Sequence, residues 1–373
     1  MVATAEAVTS REPAAATLVP FAMAAHPQLG PLEIDGSFGE GGGQIVRSSL
    51  ALAILTGRGV ILDNIRAKRQ KPGLARQHLT AVNAAAEISA ADVKGASVGS
   101  TRLTFFPKRL AAGDYHFDIG TAGSTTLVLQ TLLMPLLLAD GPSRVVIEGG
   151  THNPMAPPVD FIQSAYLPLV RRFGPQVRLT LDRYGFYPKG GGRITVEIEP
   201  TDKFAYFELL TRSPAEVTAT VLLADLPRHI ADRELAVLRE TGTVRHGQER
   251  VREVTARSPG NVVLIELAAA EVTEVFSALG ERGVRAEDVA RAAAQEVADH
   301  LATGAPIGPH LADQLILPLA LSASHGQGGR FRTGPLTEHS RTHLELVQRF
   351  LPVTAEVAER DGQVEIALRH AGT

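Results

Sequence analysis

Segments with strand and helix periodicity follow one another in the same order three times along the chain, and that order restricts the fold more than composition does. The first stretch reads strand Leu32–Ile34, helix Gln44–Ile54, strand Val60–Ile65, helix Gly73–Ile88, then strands Ala91–Val98 and Thr101–Phe106. The second reads strand Tyr115–Ile119, helix Ser124–Leu138, strand Arg144–Glu148, helix Pro158–Phe173, then strands Gln176–Leu181 and Gly192–Ile198. The third opens with strand Ala205–Leu210. It resumes with helix Leu311–Ser322, strand Gly329–Thr333, helix Ser340–Leu351 and strands Thr354–Glu359 and Gln363–Leu368. Helices are read from apolar residues at 3.6 spacing, strands from alternation or β-branched runs. The expected fold class is therefore α/β (α+β), with three β-α-β-α-β-β units over residues 31–211 and 306–373. The units share a pattern rather than residues.

Between the first strand and first helix of the third unit lie residues 212–305. They carry strands of their own (Val217–Leu223, Asn261–Glu266, Glu274–Leu279) and helices (Arg228–Glu240, Ala286–Thr303), and read as a small inserted α/β domain. Residues 1–30 are Ala-rich, interrupted by Pro13 and Pro20, and read as a disordered tail. A signal peptide is the rival reading. Glu6 and Glu12 offset Arg11 there, and Pro20 breaks the apolar run. The longest apolar run, Thr126–Ala139, is broken by Gln130 and Pro135 and falls short of a membrane span of roughly 20 residues.

The chain has 37 Lys and Arg against 40 Asp and Glu, a net charge of −3, so any nucleic-acid contact has to be local. The absence of cysteine excludes disulfides, thiolate catalysis and cysteine-ligated zinc. It fits a cytoplasmic location.

Two segments suit phosphate. Gly36-Ser-Phe-Gly-Glu-Gly-Gly-Gly-Gln-Ile-Val-Arg47 follows a strand and opens a helix, where backbone N–H groups and the helix dipole attract an anion. Glu40 within it would repel a phosphate unless a cation bridges them, which points to a Mg²⁺ or Mn²⁺ ligand. Arg47 is placed for a phosphate oxygen. The loop is neither Gly-x-Gly-x-x-Gly nor a Walker A loop. The second segment, Arg66 to His78, packs five Lys or Arg into 11 residues, a basic patch suited to a phosphorylated end. The plainer alternatives are a Gly-rich turn and a solvated charged loop.

Other junctions carry polar groups. Asp118-Ile-Gly-Thr-Ala-Gly-Ser-Thr-Thr126 and Gly149-Gly-Thr-His-Asn-Pro-Met-Ala-Pro-Pro158 both join strand to helix, where α/β proteins collect ligands. His310-Leu-Ala-Asp-Gln-Leu315 opens an apolar helix with Asp313 and Gln314 facing away from its core side. His339 and His343 are four residues apart, on one helix face if the helix begins early enough. They are either half of a metal site or a nucleophile at a helix start.

Taken together, Gly39-Glu-Gly-Gly-Gly-Gln-Ile-Val-Arg47, Lys71-Pro-Gly-Leu-Ala-Arg-Gln-His78, Gly185-Phe-Tyr-Pro-Lys-Gly-Gly-Gly192 and Leu311-Ala-Asp-Gln314 resemble the RNA 3'-terminal phosphate cyclase family, from about Leu32 to Val353. The resemblance implies three such units with one thioredoxin-like insert. It implies ATP as cofactor, RNA 3'-phosphate ends as partners, and transfer of AMP first to a histidine and then to the RNA phosphate. Closure by the 2'-OH follows, giving a 2',3'-cyclic phosphate. His339 matches the nucleophile and Glu40 the metal-binding carboxylate. Arg47, Arg66 and Arg69 match phosphate contacts. Gln77, His78 and Gln130 match polar groups of the site, Asp313 and Gln314 match groups beside the AMP sugar and base, and Pro157 matches one face of the adenine slot. His310 stands where close relatives carry a stacking tyrosine. Glu338 stands where a small residue is expected, and His343 where an asparagine is expected. No membrane and no obligatory protein partner are expected, and a homodimer is left open. Two other readings compete: a cyclase-like assembly factor without nucleotide transfer, which would lack the histidine, and an enolpyruvyl transferase of related architecture.

Overall fold

The computed structural model describes residues 30–372 and is a mixed α/β protein with four four-stranded sheets. The tail expected over residues 1–30 lies, apart from Gly30, outside the described residues. The first sheet has order β1-β2-β4-β3, from β1 (Leu32–Asp35), β2 (Val60–Asp63), β3 (Asp92–Lys94) and β4 (Leu103–Phe106). Helix α1 (Gly43–Thr56) is the crossover between parallel β1 and β2, and α2 (Arg76–Ser89) links β2 to β3. The second sheet has order β5-β6-β8-β7, from β5 (Asp114–Asp118), β6 (Ser143–Gly149), β7 (Gln176–Arg183) and β8 (Gly192–Glu199). Here α3 (Thr125–Leu136) crosses between parallel β5 and β6. The next connection runs through α4 (Val159–Phe161), a π-helical turn (Ile162–Tyr166) and α5 (Leu167–Arg172).

After β9 (Phe207–Leu209) the chain forms a separate sheet of β10 (Ala215–Ala224), β11 (Glu249–Val254), β12 (Gly260–Ala269) and β13 (Thr273–Leu279), ordered β11-β10-β12-β13, with α6 (His229–Glu240) and α7 (Ala286–Thr303). It then returns through α8 (Pro309–Ser324), β14 (Gly329–Thr333), α9 (Glu338–Phe350), β15 (Val353–Arg360) and β16 (Gln363–His370). Those strands join β9 in the order β9-β14-β16-β15, with β9 and β14 parallel.

Helices α1, α3 and α8 are buried because their sequences are apolar nearly all round. In α1 every residue from Gln44 to Leu55 except Arg47 is buried, so the helix packs against α2, α3 and α9 at once. The sheet of β10 to β13 is buried on both faces. Val221 and Leu223 of β10, with Val263 and Ile265 of β12, face α6 and α7 in a core of their own. Leu222 and Ala224, with Val262 and Leu264, face the main core. Alternation along a strand sends neighbours to opposite faces, so an unbroken apolar run such as Val221–Ala224 needs cover on both sides. Strand β13 also reaches the site-bearing helix: buried Glu274 accepts the N–H of Gly308, the N-cap of α8, at 2.6 Å.

Three local readings are corrected. Helix α2 begins at Arg76 rather than Gly73, because Gly73 sits at φ +78° and His78 Nδ1 caps the helix by accepting the Ala75 N–H at 3.2 Å. The helix read as Pro158–Phe173 contains a π turn; Pro168 has no N–H to give Ser164, and the wider turn accommodates the missing bond. Strand β11 was not foreseen, because Glu-Arg-Val-Arg-Glu-Val is mostly charged. It is an edge strand paired only with β10, where charge is tolerated.

Candidate active site

Polar side chains from α1, α8 and α9 meet where an otherwise apolar helix packing is interrupted. On α1, Gln44, Arg47 and Ser48 follow i, i+3, i+4 spacing and so form one polar stripe. Gln44 Nε2 donates to Asp313 Oδ1 at 2.7 Å, and Gln44 Oε1 lies 2.9 Å from His339 Nδ1. Burial alone would keep Asp313 protonated. The hydrogen bond from His343, the neighbouring His343 and His339 rings and the Gln44 amide outweigh it and hold the carboxyl below its usual range.

An ionised carboxylate only accepts, so Gln44 must turn its NH₂ to Asp313 and its carbonyl to His339. His339 Nδ1 then carries the proton and Nε2 carries the lone pair. That Nε2 lies 3.9 Å from Glu40 Oε1, on a side chain 48% exposed. Burial lowers the His339 pKa against the pull of Asp313, helped by Arg47, Arg69 and His310, so the neutral ring is favoured at neutral pH.

His343, one turn further along α9, is engaged at both nitrogens. Nδ1 donates to the Asp313 carbonyl at 3.0 Å and Nε2 lies 3.3 Å from Ser48 Oγ. It is buried. The two histidines therefore do not converge on one point, and no group of three or more His, Asp or Glu able to hold a metal occurs among the described residues.

Phosphate-type groups gather on the other side. Arg47 Nε donates to Gln130 Oε1 at 3.2 Å, and Gln130 Nε2 donates to Gln314 Oε1 at 2.6 Å. Burial pushes the Arg47 guanidinium down to about 10, opposed by Asp313, so it stays charged near neutral pH. Burial, with Arg47 and Arg66 nearby, pushes His78 down to about 3. Gly43 has to lack a side chain, since a Cβ there would collide with His78 Nε2. Gln44, Arg47, Gln130, Asp313 and Gln314 border a cavity of about 30 Å³, room for about one water. Arg69 forms an ion pair with Glu40 through Oε1, and the buried Oε2 has no hydrogen-bond partner.

Four of the residues singled out stand apart from this network. Arg66 directs its guanidinium at the carbonyls of Lys71 (3.1 Å) and Gly73 (2.7 Å), bracing its own loop. Gln77 accepts the Ser124 N–H at 3.0 Å, tying α2 to the start of α3. The Pro157 carbonyl accepts from Thr126 Oγ1 at 2.8 Å, one turn before Gln130. His310 is exposed on α8, one turn before Asp313 and Gln314. Gln44 and Ser48 were not singled out; the polar stripe on α1 was the available signal.

An α/β protein with a half-exposed imidazole beside guanidinium groups and a buried carboxylate has the parts for nucleophilic transfer of a phosphorus-containing group. The chain matches the model of one family, RNA 3'-terminal phosphate cyclase, over residues 38–357, and belongs to that family of enzymes. A relative named RNA 3'-terminal phosphate cyclase, from Koribacter versatilis (strain Ellin345), is 50% identical over 342 residues, 91% of this chain and 95% of the relative. Another of that name, from Ectopseudomonas mendocina (strain ymp), is 48% identical over 328 residues, 86% of this chain and 93% of the relative. A solved EPSP synthase from Acinetobacter baumannii is 12% identical with a TM-score of 0.33, covering 91% of this chain and 65% of that one; so weak a likeness carries no argument.

The tautomer can be read directly by ¹⁵N NMR of the histidines. The expected spectrum has His339 protonated at Nδ1 and titrating below its ordinary value near 6.5. In Gln44→Leu the ring should lose that tautomer preference. An Nδ1–H signature that survives the substitution would remove Gln44 from this role.

Proposed function

We propose that this enzyme converts an RNA 3'-terminal phosphate to a 2',3'-cyclic phosphate, using ATP and a covalent AMP on His339. The observation that carries the reading is the Asp313–Gln44–His339 chain, which leaves Nε2 unprotonated, 3.9 Å from Glu40 Oε1. In the first step Nε2 attacks the α-phosphorus of ATP, forming an N–P bond as the bond to the β-phosphate oxygen breaks and pyrophosphate leaves. The ring gains positive charge, which stays on the imidazole and is stabilised by the Gln44 carbonyl at Nδ1–H and by the Asp313 carboxylate behind it. In the second step an oxygen of the RNA 3'-phosphate takes AMP from His339, giving RNA(3')pp(5')A. In the third the neighbouring 2'-OH attacks the 3'-phosphorus and AMP leaves. A 3'-phosphate has no good leaving group until AMP supplies one, and the ribose already holds the 2'-oxygen in reach.

Asp313, Gln314, Gln130, Pro157 and His310 are the proposed nucleotide contacts. His310, Asp313 and Gln314 share one face of α8. Arg47, Arg66, Arg69, Gln77 and His78 are the proposed groups around the phosphate and RNA end. Glu40 fits a Mg²⁺ or Mn²⁺ ligand: its carboxylate is buried, its Oε2 lacks a hydrogen-bond partner, and Mg²⁺ is often held by one carboxylate with phosphates and water. Such a metal would neutralise phosphate charge. Arg69 would have to release Glu40 for this. We also read the three sheets of like strand order as copies of one unit, in 31–211 and 306–373, with 212–305 as the insert. The cytoplasm is the proposed location. Among the described residues no helix is long and apolar enough to cross a membrane.

Incubation with α-labelled ATP and a divalent metal, followed by denaturing electrophoresis, tests the first step. Wild type should carry label that is lost in acid and in hydroxylamine and kept in alkali, as for a phosphoramidate. His339→Ala should carry none and His343→Ala less. Label retained in the His339 variant would falsify the assignment.

Titrating Mg²⁺ and Mn²⁺ in the same assay tests Glu40. Glu40→Ala should label slowly and need more metal; an unchanged metal dependence would reduce Glu40 to a loop residue.

An RNA ending in a 2'-deoxy, 3'-phosphate nucleotide separates activation from closure. It should accept AMP and accumulate as the capped species, because proximity of the 2'-oxygen is worth roughly 7–11 kcal/mol that water cannot replace. If this end accepts no AMP while an ordinary one does, the 2'-OH acts before closure.

A further inference from the structure

The segment Gly185-Phe-Tyr-Pro-Lys-Gly-Gly-Gly192 resembles the family motif yet supplies nothing to the site above. It forms a tight hairpin between β7 and β8 whose base is fixed and whose tip is bare. At the base, the Gly185 N–H donates to Thr151 Oγ1 at 2.9 Å and the Gly190 N–H donates to the Phe186 carbonyl at 2.8 Å. Phe186 is buried with its ring 5.5 Å from His152. The Lys189 N–H donates to Ser258 Oγ at 3.1 Å. Gly190 (φ +63°) and Gly191 (φ +72°) need to be glycine, because a Cβ would meet the Ala122 backbone at the first and the Arg257 side chain at the second. At the tip, Tyr187 is 73% exposed.

The charges at the tip have one sign left over. Arg183 and Arg193 are matched by Glu148 and Asp182. Lys189 and Arg257 are exposed and form no ion pair among the described residues. An aromatic face held open beside free cations suits a flexible polyanion with flat bases, since stacking accepts any base and the cations follow the backbone. It does not suit a membrane or a large apolar partner, which would call for a broad apolar patch.

The hairpin also leads toward the reactive end. Gly190 packs on Thr121 and Ala122. The same loop lies against Gln77 on its other side, where Gly123 approaches the Gln77 side chain and Ser124 bonds it. The next residue, His78, abuts Gly43 beside Arg47.

We propose that the Tyr187-Pro188-Lys189 tip, with Arg257, is a stacking platform for single-stranded RNA that binds the nucleotides just upstream of the 3'-phosphate. This rests on the cyclase reading for its ligand. It adds a second binding region, so affinity should rise with RNA length.

The test is fluorescence anisotropy of a labelled single-stranded oligoribonucleotide ending in a 3'-phosphate, with a nucleoside 3'-phosphate as competitor to represent the end alone. Tyr187→Ala should weaken the oligonucleotide about tenfold and leave the competitor unchanged, while Tyr187→Phe keeps wild-type affinity. Lys189→Ala combined with Arg257→Ala should lower the salt dependence by about 1.4 powers of salt, roughly 0.7 for each cation lost. Thermal unfolding confirms that the exposed substitutions leave the fold intact. Cyclisation of the same oligonucleotide by wild type is scored separately. Tyr187-dependent binding without cyclisation would keep the platform and sink the cyclase reading. Cyclisation with oligonucleotide affinity unchanged in Tyr187→Ala would overturn the platform and leave the tip to a protein partner. Equal weakening of oligonucleotide and competitor would also overturn it, by placing Tyr187 at the end itself.

Discussion

One hydrogen-bonded chain joins three helices that are far apart in sequence. Asp313 of α8 holds the Gln44 amide of α1, and Gln44 holds the His339 ring of α9. A charge sits at one end, a lone pair at the other, and an amide that can be oriented only one way lies between them. The interaction is effective because its inner half is sheltered: the packing around α1 buries Gln44 and its bond to Asp313, while the His339 ring at the outer end stays half exposed. His343 supports it from behind by bonding Asp313 through both carbonyl and carboxylate. Glu274 supports it from further away, by seating the first turn of α8. Shifting any of these helices along its axis would leave a buried polar group without its partner, so the register of the packing and the state of the histidine are settled together.

Much of the fold was legible in the sequence because period and burial agree. Alternation along β6 and β8 and the apolar faces of α1, α3 and α8 place those elements within a few residues of where they lie. Strand β11 was illegible for the opposite reason. An edge strand with solvent on one side needs no apolar alternation, and Glu-Arg-Val-Arg-Glu-Val looks like a solvated loop. The π turn was hidden too, since a single proline announces a disturbance without specifying its geometry.

The candidate site was legible as a set of residue types and not as a network. Glu40, Arg47 and His339 stand out by kind and position, and the structure brings them together. Gln44 lies within a motif that had been quoted whole, yet its role depends on two partners nearly three hundred residues away in sequence. No local pattern reports such a contact. Arg66 shows the converse. Its place in a basic run marks it for phosphate, while its guanidinium in this conformation bonds the carbonyls of its own loop. Composition records which charges are present, and only the fold records which are already engaged.

The sheet of β10 to β13 is covered on both faces, and its inner face belongs to the main core. A segment attached in that way cannot act as a detachable accessory. Leu222 and Leu264 would meet water if it were cut away, and α8 would lose the carboxyl of Glu274 at its first turn. The chain therefore carries this sheet as part of its wall. Variation in it is freest on α6, α7 and the β11 edge, whose outer sides face solvent, and a sequence that drifts there can change what the molecule presents to its surroundings without disturbing what lies behind.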